Sequence, residues 1–249
     1  MYRYYSLRPE RKDWTKQVIA EGRVYFSNPV NFNDPFEARA QFTFDRGTTA
    51  DWRKLIDERN ERAAVAPKVV LTDSSVDKLA SDLRSRSEQL LEGFREELLE
   101  KIAMLSLSEI PDEILMWSHY ADCHRGLCFG FSAHEQNSLF SEAERVAYSD
   151  AFPVVDFFTS TPEERARAAF LTKAKGWSYE REWRVIHVGE GSGYHSIGDS
   201  ALVQVIMGSE ISRQDEDTVR ALLGNRTAGV QLQRAVRRQL EYSLDIIDA

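Results

Sequence analysis

WSYEREWRVIHV, residues 177–188, alternates aromatic or apolar side chains with charged ones, a pattern typical of a β-strand. Successive side chains of a strand point to opposite faces, so Glu180, Glu182 and Arg184 would share one face, about 7 Å from one to the next. If that face is buried, these charges must be satisfied by one another, by backbone donors or by a ligand. If it is exposed, they form an ordinary charged outer face. Both interpretations remain open from this stretch alone.

Length and composition are those of a globular domain with a sizeable core. The chain has 249 residues, 42% hydrophobic and 29% charged, with thirteen Phe, nine Tyr and five Trp. A chain of this length can bury enough apolar surface to fold as one unit, so we predict a single domain over residues 1–249. The formal net charge of −8 argues against general nucleic-acid binding, which needs a basic face.

The cysteines and the apolar runs indicate the compartment. Cys123 and Cys128 lie in one short segment, without the spacing of a disulfide framework. No apolar run approaches the roughly 20 residues of a membrane helix, and the start MYRYY lacks the pattern of a signal peptide. We therefore expect a soluble, cytoplasmic protein that does not bind a membrane.

The order of predicted elements indicates the fold class. Strands and helices are interspersed without regular βαβ alternation, which favours an α+β fold with a mixed or antiparallel central sheet flanked by helices. Residues 50–101 are charged and helical in pattern, and we interpret them as a helical insertion. Further strands are predicted at residues 2–6, 24–27, 102–107, 126–131, 145–148, 201–207, 230–236 and 242–247. Further helices are predicted at residues 14–20, from Pro111 through the segment 116–122, from Thr161 to Gly176, and at 213–223.

Four segments occur in a recognisable order along the chain. They are Tyr2-Arg3-Tyr4; FSNP at 26–29 with FNDPFE at 32–37; MWSHYAD at 116–122 with HRG at 124–126; and residues 177–184. Together they resemble the bacterial domain-of-unknown-function family 2971 (DUF2971). The resemblance covers about residues 2–208, and the family label implies no particular activity.

A second resemblance, to ADP-ribosyltransferases, bears on activity. These enzymes combine a polar residue on an early strand, an aromatic-Ser strand and a late Glu-x-Glu, and here Arg3, Phe26-Ser27 and Glu180-Arg181-Glu182 occur in that order. The resemblance implies NAD as substrate, cleaved at the nicotinamide–ribose bond by hydrolysis or by transfer to an unknown macromolecular acceptor. A defence or toxin role is a further expectation. Glu182 would be the principal catalytic carboxylate, Glu180 its companion, and Arg3 the phosphate anchor.

The remaining candidates surround these residues. His119 is the candidate acid or base. Asn33 and Asp34 could contact a ligand, although Asn33-Asp34-Pro35 is also typical of a turn. We expect Arg3, Ser27, Asn33, His119 and Glu182 to converge on one cleft if the enzyme interpretation is right. The predicted binding residues are Arg3, Tyr4, Ser27, Asn33, Asp34, Tyr120, Trp177, Tyr179 and Arg184.

Two other function classes remain open. The first is a metal-dependent nuclease or phosphoesterase built from His119, Asp34, Glu37, Glu180 and Glu182. The second is a non-catalytic sensor or adaptor, in which the polar cluster holds the fold together and residues 50–101 meet a partner. No bound metal is expected, because structural zinc needs two well-spaced ligand pairs and the Cys/His residues form only one cluster.

Overall fold

The computed structural model describes residues 1–8, 12–62, 72–85, 99, 101–133, 139–189, 191–226 and 229–249. Its helices are α1 Lys12–Glu21, α2 Thr49–Arg62, α3 Asp73–Ser85, α4 Ile114–Tyr120, α5 Pro162–Phe170 and α6 Arg213–Gly224. Its strands are β1 Tyr2–Tyr5, β2 Arg23–Phe26, β3 Gln41–Thr43, β4 Ile102–Ser108, β5 Leu127–Phe131, β6 Glu144–Arg145, β7 Ala147–Ser149, β8 Val154–Asp156, β9 Thr172–Ala174, β10 Glu182–Val188, β11 Gly193–Ser196, β12 Leu202–Met207, β13 Gln231–Arg237 and β14 Leu244–Asp248. Within these residues, no helix is long and apolar enough to cross a membrane.

The chain divides into two compact units. The first unit comprises Met1–Asn33, Lys101–Tyr148 and Lys175–Ala249, and the second comprises Asp34–Glu100 and Ser149–Ala174. Of the predicted helical insertion at 50–101, residues 50–100 thus lie in the second unit, and Lys101 belongs to the first. That the whole chain is one domain stays a prediction.

The first unit is built on one large sheet. Its eight strands run in the order β14-β13-β12-β5-β1-β4-β10-β6. Strands β12 and β13 are parallel, and the other neighbours are antiparallel. The sheet is therefore mixed, and the predicted α+β class is confirmed. Strands β2 and β11 form a separate antiparallel ribbon.

The pairing register assigns side chains to the two faces of this sheet. Tyr2 pairs with Ser108 and Ser108 pairs with Glu182, so these three side chains share a face, which we call the Glu182 face. By strand alternation Arg3 and Tyr5 point to the other face, which we call the Tyr5 face.

Each face has its own apolar core. On the Tyr5 face, residues of β4, β5, β10 and β12 pack with α1, β2 and α6. On the Glu182 face, Tyr4, Cys128 and Ile206 pack with Trp117 of α4. Both faces of the sheet are thus covered, which explains why β4 and β5 are buried along almost their whole length.

The second unit has a small aromatic core. Phe44, Trp52, Val76 and Ala80 pack together with half-buried Phe157 and Phe158. Strands β3 and β8 pair in parallel, and neither strand is predicted from the sequence. Residues 63–71, 86–98 and 100 of the predicted insertion lie outside the described residues.

Several predicted boundaries are confirmed and others are wrong. The helix start at Thr161 is confirmed by a capping box, in which the Thr161 and Glu164 side chains bond each other's backbone N–H. That helix ends at Phe170, well before Gly176. The helix predicted to begin at Pro111 begins at Ile114, because Glu113 is its N-cap and accepts a hydrogen bond from the Leu115 N–H.

Candidate functional site

The chain changes conformation between Glu180 and Glu182. Residues Lys175–Glu180 form a 3₁₀ helix, so the strand prediction is wrong for 177–181 and right from Glu182 onward. Arg181 has a left-handed backbone (φ 44°). Its N–H donates to the Ser178 carbonyl at 3.3 Å, and its own carbonyl accepts from the Glu109 N–H at 3.2 Å. These bonds hold a conformation that L-residues rarely adopt.

Glu182 and Arg184 form a buried ion pair at the start of β10. Arg184 Nε donates to Glu182 Oε1 at 2.8 Å, and Arg184 Nη2 donates to Oε2 at 2.9 Å. Their side chains are 4% and 0% exposed. The guanidinium carbon also lies 5.9 Å from the centre of the Phe32 ring. The face that could have been a charged outer surface is therefore buried, and its charges satisfy one another.

Glu180 is held from two other elements. The Tyr120 hydroxyl, at the end of α4, donates to Glu180 Oε1 at 2.7 Å. The Ser108 hydroxyl, at the end of β4, donates to the Glu180 carbonyl at 2.7 Å. Glu180 is 3% exposed and Ser108 is 1% exposed. The carboxylate is thus oriented by a phenol while its backbone is anchored to the sheet.

Three rings lie near one another beside Tyr120, and we call them the aromatic group: His119, Trp177 and Tyr179. The His119 ring centre lies 6.4 Å from those of both Trp177 and Tyr179, and the last two are 6.0 Å apart. His119 is exposed, and the other two are half-buried. Such edge-to-face and tilted contacts leave ring surface that a flat ligand could cover.

Tyr4 and Ser27 lie on the Glu182 face in structural roles. The Tyr4 hydroxyl donates to the Ile110 carbonyl at 2.9 Å, and its ring meets Trp117 edge-on at 5.3 Å. Burial raises the pKa of Tyr4, so the phenol stays protonated. Ser27 is joined to β4 by two main-chain hydrogen bonds with Met104, of 2.9 and 2.8 Å.

The expected convergence of Arg3 with Glu182 is wrong. The register puts Arg3 on the Tyr5 face, and its guanidinium carbon lies 5.4 Å from the centre of the Tyr5 ring. The reason is strand alternation, because Tyr2, the residue before Arg3, is the one that shares a face with Ser108 and Glu182.

Asn33 and Asp34 support the turn interpretation. Asn33 is exposed, at the end of a first-unit segment. Asp34 belongs to the second unit, where its Oδ1 accepts from the Phe36 N–H at 2.9 Å, as in an Asx turn. In the same unit Glu37 forms a buried ion pair with Lys173 at 3.2 Å.

In the part of the chain that the structure describes, no three His, Cys, Asp or Glu side chains are grouped to hold a metal ion.

Two features of the site were missed by sequence reasoning. Ser108 follows the predicted strand 102–107, and only its register opposite Glu182 reveals its place. Asp122, Cys123 and His124 all have positive φ, of 49°, 52° and 67°. His124 Nε2 lies 3.2 Å from the Ser118 hydroxyl, and burial lowers the pKa of His124. Neither feature has a local sequence signal. The place of Ser108 depends on strand pairing, and none of the three residues with positive φ is Gly.

A comparison with protein families covers part of this site. Residues 116–185 match the family model described as "Protein of unknown function (DUF2971)". The match covers less than half of the chain. It includes His119 and Tyr120 of α4, the aromatic group and the acidic residues at the start of β10. No curated protein and no solved structure matches the chain. The matched segment therefore contains most of the candidate site, and the description of the family assigns no activity.

Proposed function

We propose that the Glu182 face binds NAD and breaks its nicotinamide–ribose bond, as an ADP-ribosyltransferase or an NAD glycohydrolase does. The observation that carries the proposal is the buried Glu180 carboxylate beside the partly exposed aromatic group. Cleavage of this bond develops oxocarbenium character at the ribose, which a nearby carboxylate stabilises. Aromatic rings can in turn stack on the flat nicotinamide.

The ion pair supports Glu180, in place of Glu182, as the carboxylate that meets the substrate. Both Glu182 oxygens receive hydrogen bonds from the fully buried Arg184 guanidinium, and withdrawing them would break two charge-assisted bonds. We therefore assign Glu182 and Arg184 to positioning. Glu180, oriented by Tyr120, is the proposed catalytic carboxylate.

The reaction balances without a further co-reactant. The ribose C1′–N bond breaks, and nicotinamide leaves as a neutral base with the bonding electron pair. A new C1′–O bond forms to the hydroxyl of water or of a macromolecular acceptor. The acceptor's proton leaves to a base, and the exposed His119 beside the rings is suited to take it.

The test measures nicotinamide release and folding on the same samples. Purified protein with NAD should release nicotinamide, measured by liquid chromatography, and should bind NAD in calorimetry. Glu180→Gln should lower the release rate by roughly 10²-fold or more with an unchanged melting temperature. Tyr120→Phe should lower the rate less, because the carboxylate remains. Glu109→Gln is the matched control. Glu109 accepts a hydrogen bond from Trp183 on the Tyr5 face, so this substitution should leave the rate of nicotinamide release unchanged.

A second candidate, a non-catalytic sensor or adaptor, is favoured by one observation. Glu182 and Arg184 are paired with each other and almost fully buried, as expected of charges that only hold a fold together. If a well-folded sample shows no heat of NAD binding and no nicotinamide release, the enzyme proposal is refuted. Substitutions at Glu180 would then change only stability.

A further inference from the structure

Strand alternation gives the ribbon of β2 and β11 an inner and an outer face. Val24 and Phe26 are 0% exposed and belong to the apolar core on the Tyr5 face. Tyr25 lies between them in β2 and therefore points outward. The register pairs Tyr25 directly with Tyr194 of β11, and their ring centres are 5.1 Å apart with 71° between the planes. The outer face of the ribbon thus carries two tyrosine rings in contact.

A third ring, from α1, extends this pair, and we call Trp14, Tyr25 and Tyr194 the ribbon aromatics. The Trp14 and Tyr25 rings are almost parallel, with 6° between their planes, and their centres are 6.0 Å apart. Carbon atoms in contact are about 3.5–4 Å apart, so these rings are not in full face-to-face contact. Tyr194 is 40% exposed, and the other two are half-buried. Part of the ring surface therefore faces solvent.

Two carboxylates of α1 act on the same group. Burial raises the pKa of Tyr194, and the neighbouring Tyr25, Asp13 and Glu21 raise it further, so both carboxylates are near enough to act on the Tyr194 hydroxyl. Arg23 Nη1 lies 3.6 Å from Glu21 Oε2, but this pair is solvent-exposed and its attraction is weak. The ribbon aromatics thus have an acidic rim that is only partly neutralised.

Ring faces combined with carboxylates specify an organic cation as the ligand class. The negative face of an aromatic ring attracts a cation that lies within about 6 Å of its centre, and Trp and Tyr are well suited to this. A quaternary ammonium group carries its charge on methyl groups, which can touch the rings without giving up hydrogen bonds to water. The carboxylates add attraction for the same charge and would add none for a neutral ligand.

We propose that the ribbon aromatics, together with Asp13 and Glu21, bind a small quaternary ammonium compound of the choline type. Because the rings are partly exposed, each contributes a modest attraction, and we expect a Kd on the order of 1–10 mM. The site lies on α1 and the ribbon and uses none of the residues assigned to NAD cleavage. Either proposal can therefore fail while the other stands.

The test uses choline chloride as the probe and the Trp14 indole N–H signal in heteronuclear NMR as the reporter. Loss of one indole signal in Trp14→Phe assigns that signal to Trp14. We expect a saturable shift with choline, and none with sodium chloride at matched ionic strength. Dimethylbutanol, the neutral carbon analogue of choline, should bind at least roughly threefold more weakly. Equal binding of the alcohol, or no saturable shift with choline, overturns the proposal.

Variants separate a cation site from rings that only pack the ribbon. Tyr194→Leu removes the most exposed ring and should weaken choline binding at least roughly threefold, whereas Tyr194→Phe keeps the ring and should stay within about twofold. Glu21→Gln should weaken binding by roughly two- to threefold. Tyr242→Leu is the matched control, because Tyr242 is 100% exposed outside the site. A folded Tyr194→Leu variant that keeps the full choline response refutes the proposal, as does a Tyr194→Phe variant that loses it.

Discussion

Replacing Glu182 by Gln should destabilise the first unit strongly, because it removes one charge from a buried ion pair. Arg184 is 0% exposed and Glu182 4%, so solvent cannot replace the missing partner. The two hydrogen bonds, of 2.8 and 2.9 Å, are charge-assisted and contribute roughly 1.5–3 kcal/mol each. Gln keeps one acceptor but turns an amide N–H₂ toward the guanidinium. We therefore expect a loss of about 3–5 kcal/mol.

The loss is large compared with the total stability of a domain, about 5–15 kcal/mol. Urea unfolding at pH 7, followed by tryptophan fluorescence, measures it through a lower midpoint at an unchanged m value. Trp183 is a suitable reporter, because it lies between the two charged residues in sequence and packs against the main core. Glu109→Gln is the control. Its partner Arg145 is 65% exposed, and we expect a loss of about 1 kcal/mol or less.

A double-mutant cycle tests the reason for the loss. Arg184→Met alone removes both charge-assisted hydrogen bonds from the buried Glu182 carboxylate and should cost as much as Glu182→Gln. The double variant should lose about as much as either single variant, because the first substitution already removes the pair. The reasoning is refuted if Glu182→Gln stays within about 1 kcal/mol of the original protein. Additive losses in the double variant would refute it equally.

Three further predictions concern neighbouring positions. Arg181→Gly should be neutral or stabilising by up to about 1 kcal/mol in urea unfolding, because Gly adopts φ 44° without strain, whereas Arg181→Val should be destabilising. Tyr4→Phe should cost about 1 kcal/mol in the same assay, since it removes the 2.9 Å hydrogen bond to the Ile110 carbonyl and leaves that carbonyl the longer 3.3 Å bond from Ser108; an unchanged midpoint would contradict this. Burial lowers the pKa of His124 below 6.5, so the unfolded chain takes up this proton first as pH falls. The contribution of neutral His124 to the stability of the fold is therefore complete above pH 6.5 and is lost as pH falls through the folded pKa. His124→Asn should remove this dependence, so that the melting temperature varies less between pH 7.5 and 5.5 than in the original protein.

The sequence predicted the elements whose signals are local. The α+β class, the strands 102–107 and 201–207 and the capping box at Thr161 follow from apolar spacing and cap chemistry. The shared face of Glu182 and Arg184 follows from strand alternation alone. Whether that face is buried could not be predicted, because it depends on residues far along the chain. Phe32, for example, lies against the Arg184 guanidinium across more than half the chain length.

The wrong predictions at the site share one physical cause, which is backbone geometry set by tertiary contacts. Arg181 is a poor candidate for a left-handed residue on propensity, and its conformation is held by hydrogen bonds with Ser178 and Glu109. The face of Arg3 is fixed by the pairing of Tyr2 with Ser108, which no local pattern indicates. Ser108 lies at the end of a strand, where a serine hydroxyl is often exposed to water, so the sequence does not indicate its hydrogen bond to Glu180.

The left-handed residue at Arg181 also explains how two neighbouring carboxylates come to have different partners. In an unbroken strand Glu180 and Glu182 would stand side by side, and Arg184 could neutralise only the nearer one while the other faced a like charge. The turn at Arg181 instead places Glu180 at the end of a 3₁₀ helix, where Tyr120 and Ser108 hold it. Glu182 stays in the sheet with Arg184. One carboxylate is therefore committed to a guanidinium and the other to a phenol beside the aromatic group, and this separation is why Glu180 is the residue we assign to chemistry.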